Sequence, residues 1–508
     1  MLKKSSEISK TKASSINLIF NYGSGFIQII NNIILVPFYL KFFTLSDYGA
    51  WIASAAIVNI FMILDPGISS ISAQKLSKSF TENSDRDFQS IFNSSLFLSI
   101  IFSVLILFVG FFIVFFIPGI INYENVDRLG ELSTGLSVYI VSISIVPIFS
   151  VLSSMLQSLL RTFPDNTINL LSLISSPFVI VFSLLNGLGL MSFALGVLIP
   201  NIIRLIGTLV LVVFYWTKYL EVRIFKPGSI NIFPIVKDIK FLYLRKISSS
   251  IEANIETAIA GIFFTTEITA AISIIKRLFL AVGMFSMGIA TSTYTSLAHV
   301  FSSQNLPNLN LVLKKTVHSF QLIHFLGTVL ILASIEPIVY LWLERELFFS
   351  YFFVLLIAFN TFLSSSVTLY SSTLYSSGDF RSVAYISVVE TLIRVSFTLL
   401  LIQFLDYYGL PLAGIIATFI SIYLLYRSII HKTKQNIRDL IFPTSSYEVS
   451  IYILAIVVGY FHIHSSTTIK LFEQILLTCF VIVCLMAFSR KVRNLIKELT
   501  SSLVKREP

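Results

Sequence analysis

From about residue 13 to about residue 488 the chain alternates between apolar stretches of bilayer-crossing length and short polar turns. A helix needs about 20 predominantly apolar residues to cross a bilayer, since lipid offers its backbone no hydrogen-bond partner. On that spacing the pattern predicts fourteen helices, near 13–40, 47–72, 90–118, 132–160, 167–187, 190–217, 240–264, 268–297, 311–336, 348–376, 382–405, 410–430, 448–463 and 468–489. No small-residue cleavage site closes the first apolar run, so helix one is expected to be retained rather than removed as a signal peptide. The second stretch interrupts itself. In "FMILDPGISSISAQKLSKSF", residues 61–80, Asp65 stands beside a helix-breaking Pro-Gly pair before the run has ended. A carboxylate there is costly in hydrocarbon and must be paired or wetted. Asp65 either faces the mouth of a cavity or caps the broken helix end.

Composition fixes the class. The chain is 55% hydrophobic and only 12% charged, against about 25% charged residues in a soluble domain. We read an all-α polytopic membrane protein of about 14 transmembrane helices, with no separate soluble domain. The net charge of +10 would suggest nucleic acid if it formed one patch, but it falls in alternate turns. With the N-terminus placed inside, 28 of the 36 basic residues lie in inside segments and 4 in outside turns, so both termini are expected to be cytoplasmic. No nucleic-acid partner is expected.

Two segments of the chain read alike. "FFTLSDYGAW" at 42–51 and "FFTTEITAAI" at 263–272 both enter an even-numbered helix from an outside turn. "LLRTFPD" ending at Asp165 and "TLYSSGD" ending at Asp379 repeat the relation in inside turns, and "FALGVL" around Gly196 pairs with "PLAGII" around Gly414. The order predicts two six-helix lobes of equal topology around a central cavity, plus a C-terminal helix pair. The boundaries are 1–217 for the N-terminal lobe, 218–239 for a cytoplasmic linker, 240–430 for the C-terminal lobe and 431–508 for the last two helices and tail.

"YLKFFTLSDYGAWIASAAIVNIFMILDPGISS" and "NIETAIAGIFFTTEITAAISIIKRL" resemble the two half-signatures of Wzx-type polysaccharide (O-antigen) flippases, of the multidrug/oligosaccharidyl-lipid/polysaccharide (MOP) exporter superfamily. The resemblance covers most of residues 13–430. It departs at Glu256, where Asp is usual, and at Ala270, where Gly is common. It implies transfer of an undecaprenyl-pyrophosphate-linked glycan between the leaflets of the bacterial cytoplasmic membrane by alternating access. It also implies polysaccharide polymerase and chain-length proteins as pathway partners.

Such a cargo needs a wet cavity furnished with cations. Four basic residues fall in the interior of spans, away from their ends: Arg204, Lys276, Arg277 and Arg394. Arg offers forked donors that fit phosphate oxygens, whereas Lys is a compact charge. The nearby acids Glu252, Glu256, Asp65 and Glu390 are candidates for coupling to a proton or cation gradient. Glu256 and Lys276 lie ten residues either side of Thr266, hence at similar depth in a helical hairpin. Glu390 and Arg394 have the i,i+4 spacing of an ion pair, and structural pairing is the competing role for these charges. Lys276 and Arg277 are about 100° apart on their helix and cannot both face one direction squarely.

Other signals are poor. Asp85-x-Asp87 sits in a short loop, His462-x-His464 has no third ligand, and Cys479 with Cys484 makes neither a disulfide framework nor a thiolate metal site. No phosphate-binding Gly-rich loop is present. The chain is therefore expected to be no enzyme and to carry no metal or cofactor. Two alternatives remain: a drug-cation antiporter of the same superfamily, with a more apolar or acidic cavity, and a membrane glycan polymerase or ligase, which usually needs a larger outside loop.

Overall fold

A computed structural model describes residues 10–220, 230–302, 306–344 and 349–433. The expected helices at 448–463 and 468–489 lie outside these. Among the described residues the fold is all helical: α1 (Lys10–Phe42), α2 (Leu45–Ile60), α3 (Ile68–Thr81), α4 (Asp85–Ile120), α5 (Leu129–Ser144), α6 (Val146–Ser158), α7 (Thr162–Leu185), α8 (Met191–Tyr219), the short α9 (Phe233–Asp238), α10 (Lys240–Phe263), α11 (Thr266–Ser302), α12 (Leu306–Ala333), α13 (Ile335–Leu343), α14 (Tyr351–Ser376), α15 (Phe380–Leu405) and α16 (Gly409–Thr433). They pack as two groups that meet where α2 lies against α10 and α11. The expected all-helical fold class is what the structure shows, and helices occupy the stretches expected for the first twelve spans, with most ends shifted by a few residues.

Nine stretches among the described residues are long and apolar enough to cross a membrane, the last of them holding both α15 and α16. Their outer faces suit lipid. On α4, where mean hydropathy reaches 3.2, Phe108 is 76% and Phe115 81% exposed, an arrangement that water would penalise and hydrocarbon accepts. The chain is a multi-pass membrane protein. Two further helices, α2 and α10, fall short of that test. Helix α2 is short, and α10 carries Arg245, Lys246, Glu252 and Glu256; both line the space between the lobes.

The stretch expected as one helix at 47–72 is two. Helix α2 ends at Ile60, a 3-10 turn spans Phe61–Leu64, and α3 restarts at Ile68. Pro66 pushes the preceding residue away from helical geometry, and Gly67 adopts the left-handed conformation, φ 76°, at little cost without a Cβ. The expected helix at 132–160 is likewise divided, at Ile145 just ahead of Pro147, whose missing N–H relaxes the helical ladder.

Two ends of the bundle differ in packing. At the end carrying the α1–α2 turn, one hydrophobic core runs from Tyr48, Trp51 and Ile140 of the first lobe to Ala258, Ala270 and Ile274 of the second. Toward the other end the lobes keep separate cores, one around Phe92, Met155 and Trp216 and one around Phe320, Leu374 and Leu425. The lobes thus share one core at the first end and enclose a cavity below it, while the start of α10 also touches the first lobe through Leu242 and the Lys246–Asp65 pair.

Candidate functional site

The junction is built from the repeated segments. Helices α2 and α11, which the repeat pairs, begin at the same end, and the Ser46 and Thr266 hydroxyls there lie 2.7 Å apart. The Asn122 amide donates to the Gly261 carbonyl at 3.0 Å, and the Trp342 indole of α13 donates to the Ile33 carbonyl of α1 at 2.8 Å. Asp47 anchors the α4–α5 loop to this end. Its carboxylate accepts from the Tyr123 hydroxyl at 2.6 Å, the Thr44 amide at 3.1 Å and the Arg128 guanidinium at 3.2 Å. Burial, and then the bond to Asp47, push the Tyr123 phenol above its ordinary value. Beside this closure lies a pocket of about 480 Å3 lined by Lys41, Asp47, Arg128 and Glu267.

Below the closure, a cavity of about 380 Å3 opens between the lobes, lined by residues of α1, α2, α7, α8, α10 and α11. The first lobe contributes an aromatic wall. Trp51 stacks on Phe193 with centroids 5.2 Å apart and Tyr39 packs against Phe193 at 4.4 Å. Amides of Asn31, Asn32, Asn59 and Asn254 share the lining with Ser273, Lys276 and Arg277. No carboxylate is among these lining residues.

Of the four cations expected in the cavity, two line it. Arg277 donates to the Asn32 carbonyl at 3.2 Å and its guanidinium lies 5.7 Å from the centre of the Tyr48 ring. Lys276 lines the same space, but its ammonium turns to Glu256 at 2.7 Å. One base therefore faces α1 and its neighbour faces α10, as their angular separation requires. Arg394 is buried, 4% exposed, and bonds to Glu256 at 2.7 Å and Glu390 at 3.0 Å. Arg204 is not among the lining residues; its guanidinium lies 4.7 Å from the centre of the Phe149 ring, between α8 and α6.

The acids fall in two places. Glu252, Glu256 and Glu390 sit in the second lobe with Arg245, Lys276 and Arg394. Arg245 lies 3.4 Å from Glu252 and donates to the Ser387 hydroxyl at 2.8 Å, and Thr391 donates to Glu252 at 3.0 Å. Glu256 also accepts from the Asn360 amide at 3.1 Å. Gly414 leaves the room this requires, because a Cβ there would lie 2.4 Å from Asn360 and 2.7 Å from Arg394. Asp65 is elsewhere. It accepts from the Gly67 amide at 3.0 Å, holding the break between α2 and α3, and pairs with Lys246 of α10. It is not among the cavity-lining residues.

Comparison with known proteins places the fold. No protein-family model matches the sequence, and no curated protein matches it significantly. Solved structures do. A lipid II flippase, MurJ, in an inward closed conformation aligns over 95% of this chain and 100% of its own, with 16% identity and a TM-score of 0.67. An inward-facing multidrug resistance MATE family transporter of the MOP superfamily aligns over 81% and 99%, with 14% identity and a TM-score of 0.58. The MATE multidrug transporter DinF-BH aligns over 86% and 100%, at 14% identity and a TM-score of 0.58. The chain has the MOP transporter-like fold. At these identities the likeness is one of fold.

The sequence reading missed the aromatic wall, the four amides, Ser273 and Asp47. Asn, Ser and Trp inside apolar stretches pass for packing residues until the lobes are assembled. Asp47 was visible at the third position after Thr44, the spacing at which a carboxylate caps a helix start, and the two do form a reciprocal cap.

Proposed function

We propose that the protein is a flippase of the bacterial cytoplasmic membrane, moving an undecaprenyl-pyrophosphate-linked oligosaccharide from the inner to the outer leaflet by alternating access. The observation that carries this reading is the charge of the cavity. Its lining holds no acid and includes Arg277, which has no carboxylate partner among the described residues. A cationic space with forked donors suits phosphate oxygens, while amides and aromatic faces suit the hydroxyls and apolar faces of sugars. Helices α1, α2, α7, α8, α10 and α11 frame the site, and the acids behind Lys276 are the candidates for coupling to a proton or cation gradient.

A drug-cation antiporter is the second reading, favoured by the likeness to the MATE structures and by the stacked Trp51–Phe193 wall. The two separate by charge. In proteoliposomes, the wild type should expose a fluorescent undecaprenyl-pyrophosphate oligosaccharide to lectin in the opposite leaflet, and Arg277→Ala should slow it at least about tenfold, the loss of one charge-assisted pair. Gradient-driven efflux of a cationic dye without glycolipid transfer would overturn the flippase reading in favour of the antiporter.

A further inference from the structure

Three residues of α11 that line the cavity, Ser273, Lys276 and Arg277, are spaced i, i+3, i+4 and therefore share one flank of the helix. Their states differ. Among the described residues Arg277 has no carboxylate partner and lies against the Asn32 carbonyl and Tyr48. The Ser273 hydroxyl is buried, with the residue 8% exposed, and has no hydrogen-bond partner among the described residues. An unpaired buried hydroxyl is costly and marks a place where a partner belongs. Lys276, 20% exposed in its side chain, is held by Glu256.

We infer that Ser273, Lys276 and Arg277 form one anion site, and that Glu256 keeps the Lys276 ammonium in reserve until a doubly charged anion of the pyrophosphate class arrives. This rests on the reading of the cavity as the carrier of a pyrophosphate-linked ligand. Glu256 can release Lys276 because its other oxygen accepts from both Arg394 and Asn360, so it stays paired when the lysine leaves. The long Lys stem has the freedom to turn, whereas the buried Arg394 is fixed between two carboxylates. Charge makes the exchange depend on the ligand, since it leaves the cluster one base short. In the closed cluster three carboxylates, Glu252, Glu256 and Glu390, face three bases, Arg245, Lys276 and Arg394, and Arg277 stands outside it. A singly charged ligand is met by Arg277 alone, while a second charge draws out Lys276. Glu256 would therefore set the affinity of a site it does not touch, making it a positioning residue for the anion.

The test is calorimetric titration of the purified full chain with two probes, inorganic pyrophosphate and geranyl pyrophosphate. Freeing Lys276 adds one charge-assisted hydrogen bond to the site, so Glu256→Gln should bind both probes about tenfold more tightly than the wild type. That gain should vanish in Glu256→Gln/Lys276→Met. In a background with Glu256 intact, Arg277→Ala should bind at least about tenfold and Ser273→Ala about threefold more weakly. Equal affinity for the two probes would assign the site to the free anion, and tighter binding of geranyl pyrophosphate would assign it to a lipid headgroup; either ordering supports the site. A Glu256→Gln protein that binds no more tightly, or keeps its gain without Lys276, overturns the reserve. Wild-type binding in both Ser273→Ala and Arg277→Ala overturns the site itself, and needs no change at Glu256. These outcomes are independent of glycolipid transfer, whose failure with binding intact would instead overturn the flippase reading.

Discussion

Gly49 offers the sharpest mechanical test, because it lies where the two repeats meet. A Cβ at Gly49 would sit 1.7 Å from the Thr266 carbonyl oxygen, 2.6 Å from its carbon and 3.2 Å from the Ala270 Cβ. The first two are backbone atoms, so no rotamer change relieves them, and α2 and α11 must part by well over an ångström. Forcing a methyl into a packed interface costs about 1–3 kcal/mol. Here the cost falls only on the arrangement closed at the α1–α2 end, so Gly49→Ala should shift the equilibrium between closed and open forms by about 5- to 150-fold toward opening. Spin labels at Lys41 and Glu267, both exposed at that end, would report it in a background with Cys479 and Cys484 replaced. Gly49→Ala should add a longer-distance population, while Gly130→Ala, whose Cβ would meet nothing within 4 Å, should leave the distances unchanged. A monodisperse Gly49→Ala protein with the wild-type distance distribution would refute the argument.

Two further outcomes are expected. Arg394→Leu should lower stability by about 3–5 kcal/mol, since it strands Glu390 and half of Glu256 in a buried setting; thermal unfolding in detergent would show it, and a smaller loss in Arg394→Leu/Glu390→Gln would attribute it to the stranded charge. Reporter fusions after Asp165, within 219–238 and after Lys434 should score cytoplasmic, and fusions near Glu124, Glu267 and Glu344 outside, with consistent inversion defeating the orientation drawn from the basic residues.

What the sequence could disclose follows from which constraints act locally. Lipid forces each crossing segment to satisfy its own backbone, so span length and number are written in the hydropathy, and the Pro66-Gly67 break is written in two residues. A hairpin preserves depth, so Glu256 and Lys276 could be placed level with each other. Their contact needed a direction. Glu390 and Arg394 are one turn apart and could be paired on spacing, but the bond from Arg394 to Glu256 joins α15 to α10 through space that Gly414 of α16 leaves open. Nothing along one helix announces that. Arg204 shows the same limit from the other side. Its depth in the span was legible, but the face of α8 it occupies is set by packing against Phe149 of α6.

The charge balance of the second-lobe cluster gives the candidate acids a coupling role that can be measured without following transport. With Lys276 in place the cluster carries three carboxylates and three bases. Once a ligand draws the ammonium away, three carboxylates share two guanidinium groups, and the cluster is one positive charge short in a setting where an uncompensated charge is expensive. A proton or a monovalent cation restores it. Ligand and ion must then raise each other's affinity by the same factor, because coupling between binding free energies is reciprocal. Titrating pyrophosphate in buffers of different ionisation enthalpy should therefore reveal uptake of about one proton per site, or else an affinity that rises with sodium concentration, whichever ion fills the place. Glu256→Gln removes one carboxylate, leaves two acids for two guanidinium groups, and should bind the anion with neither effect. Proton uptake of zero in the wild type, together with an affinity indifferent to sodium, would separate the cluster from coupling and leave it as the packing element that holds α10 against α15.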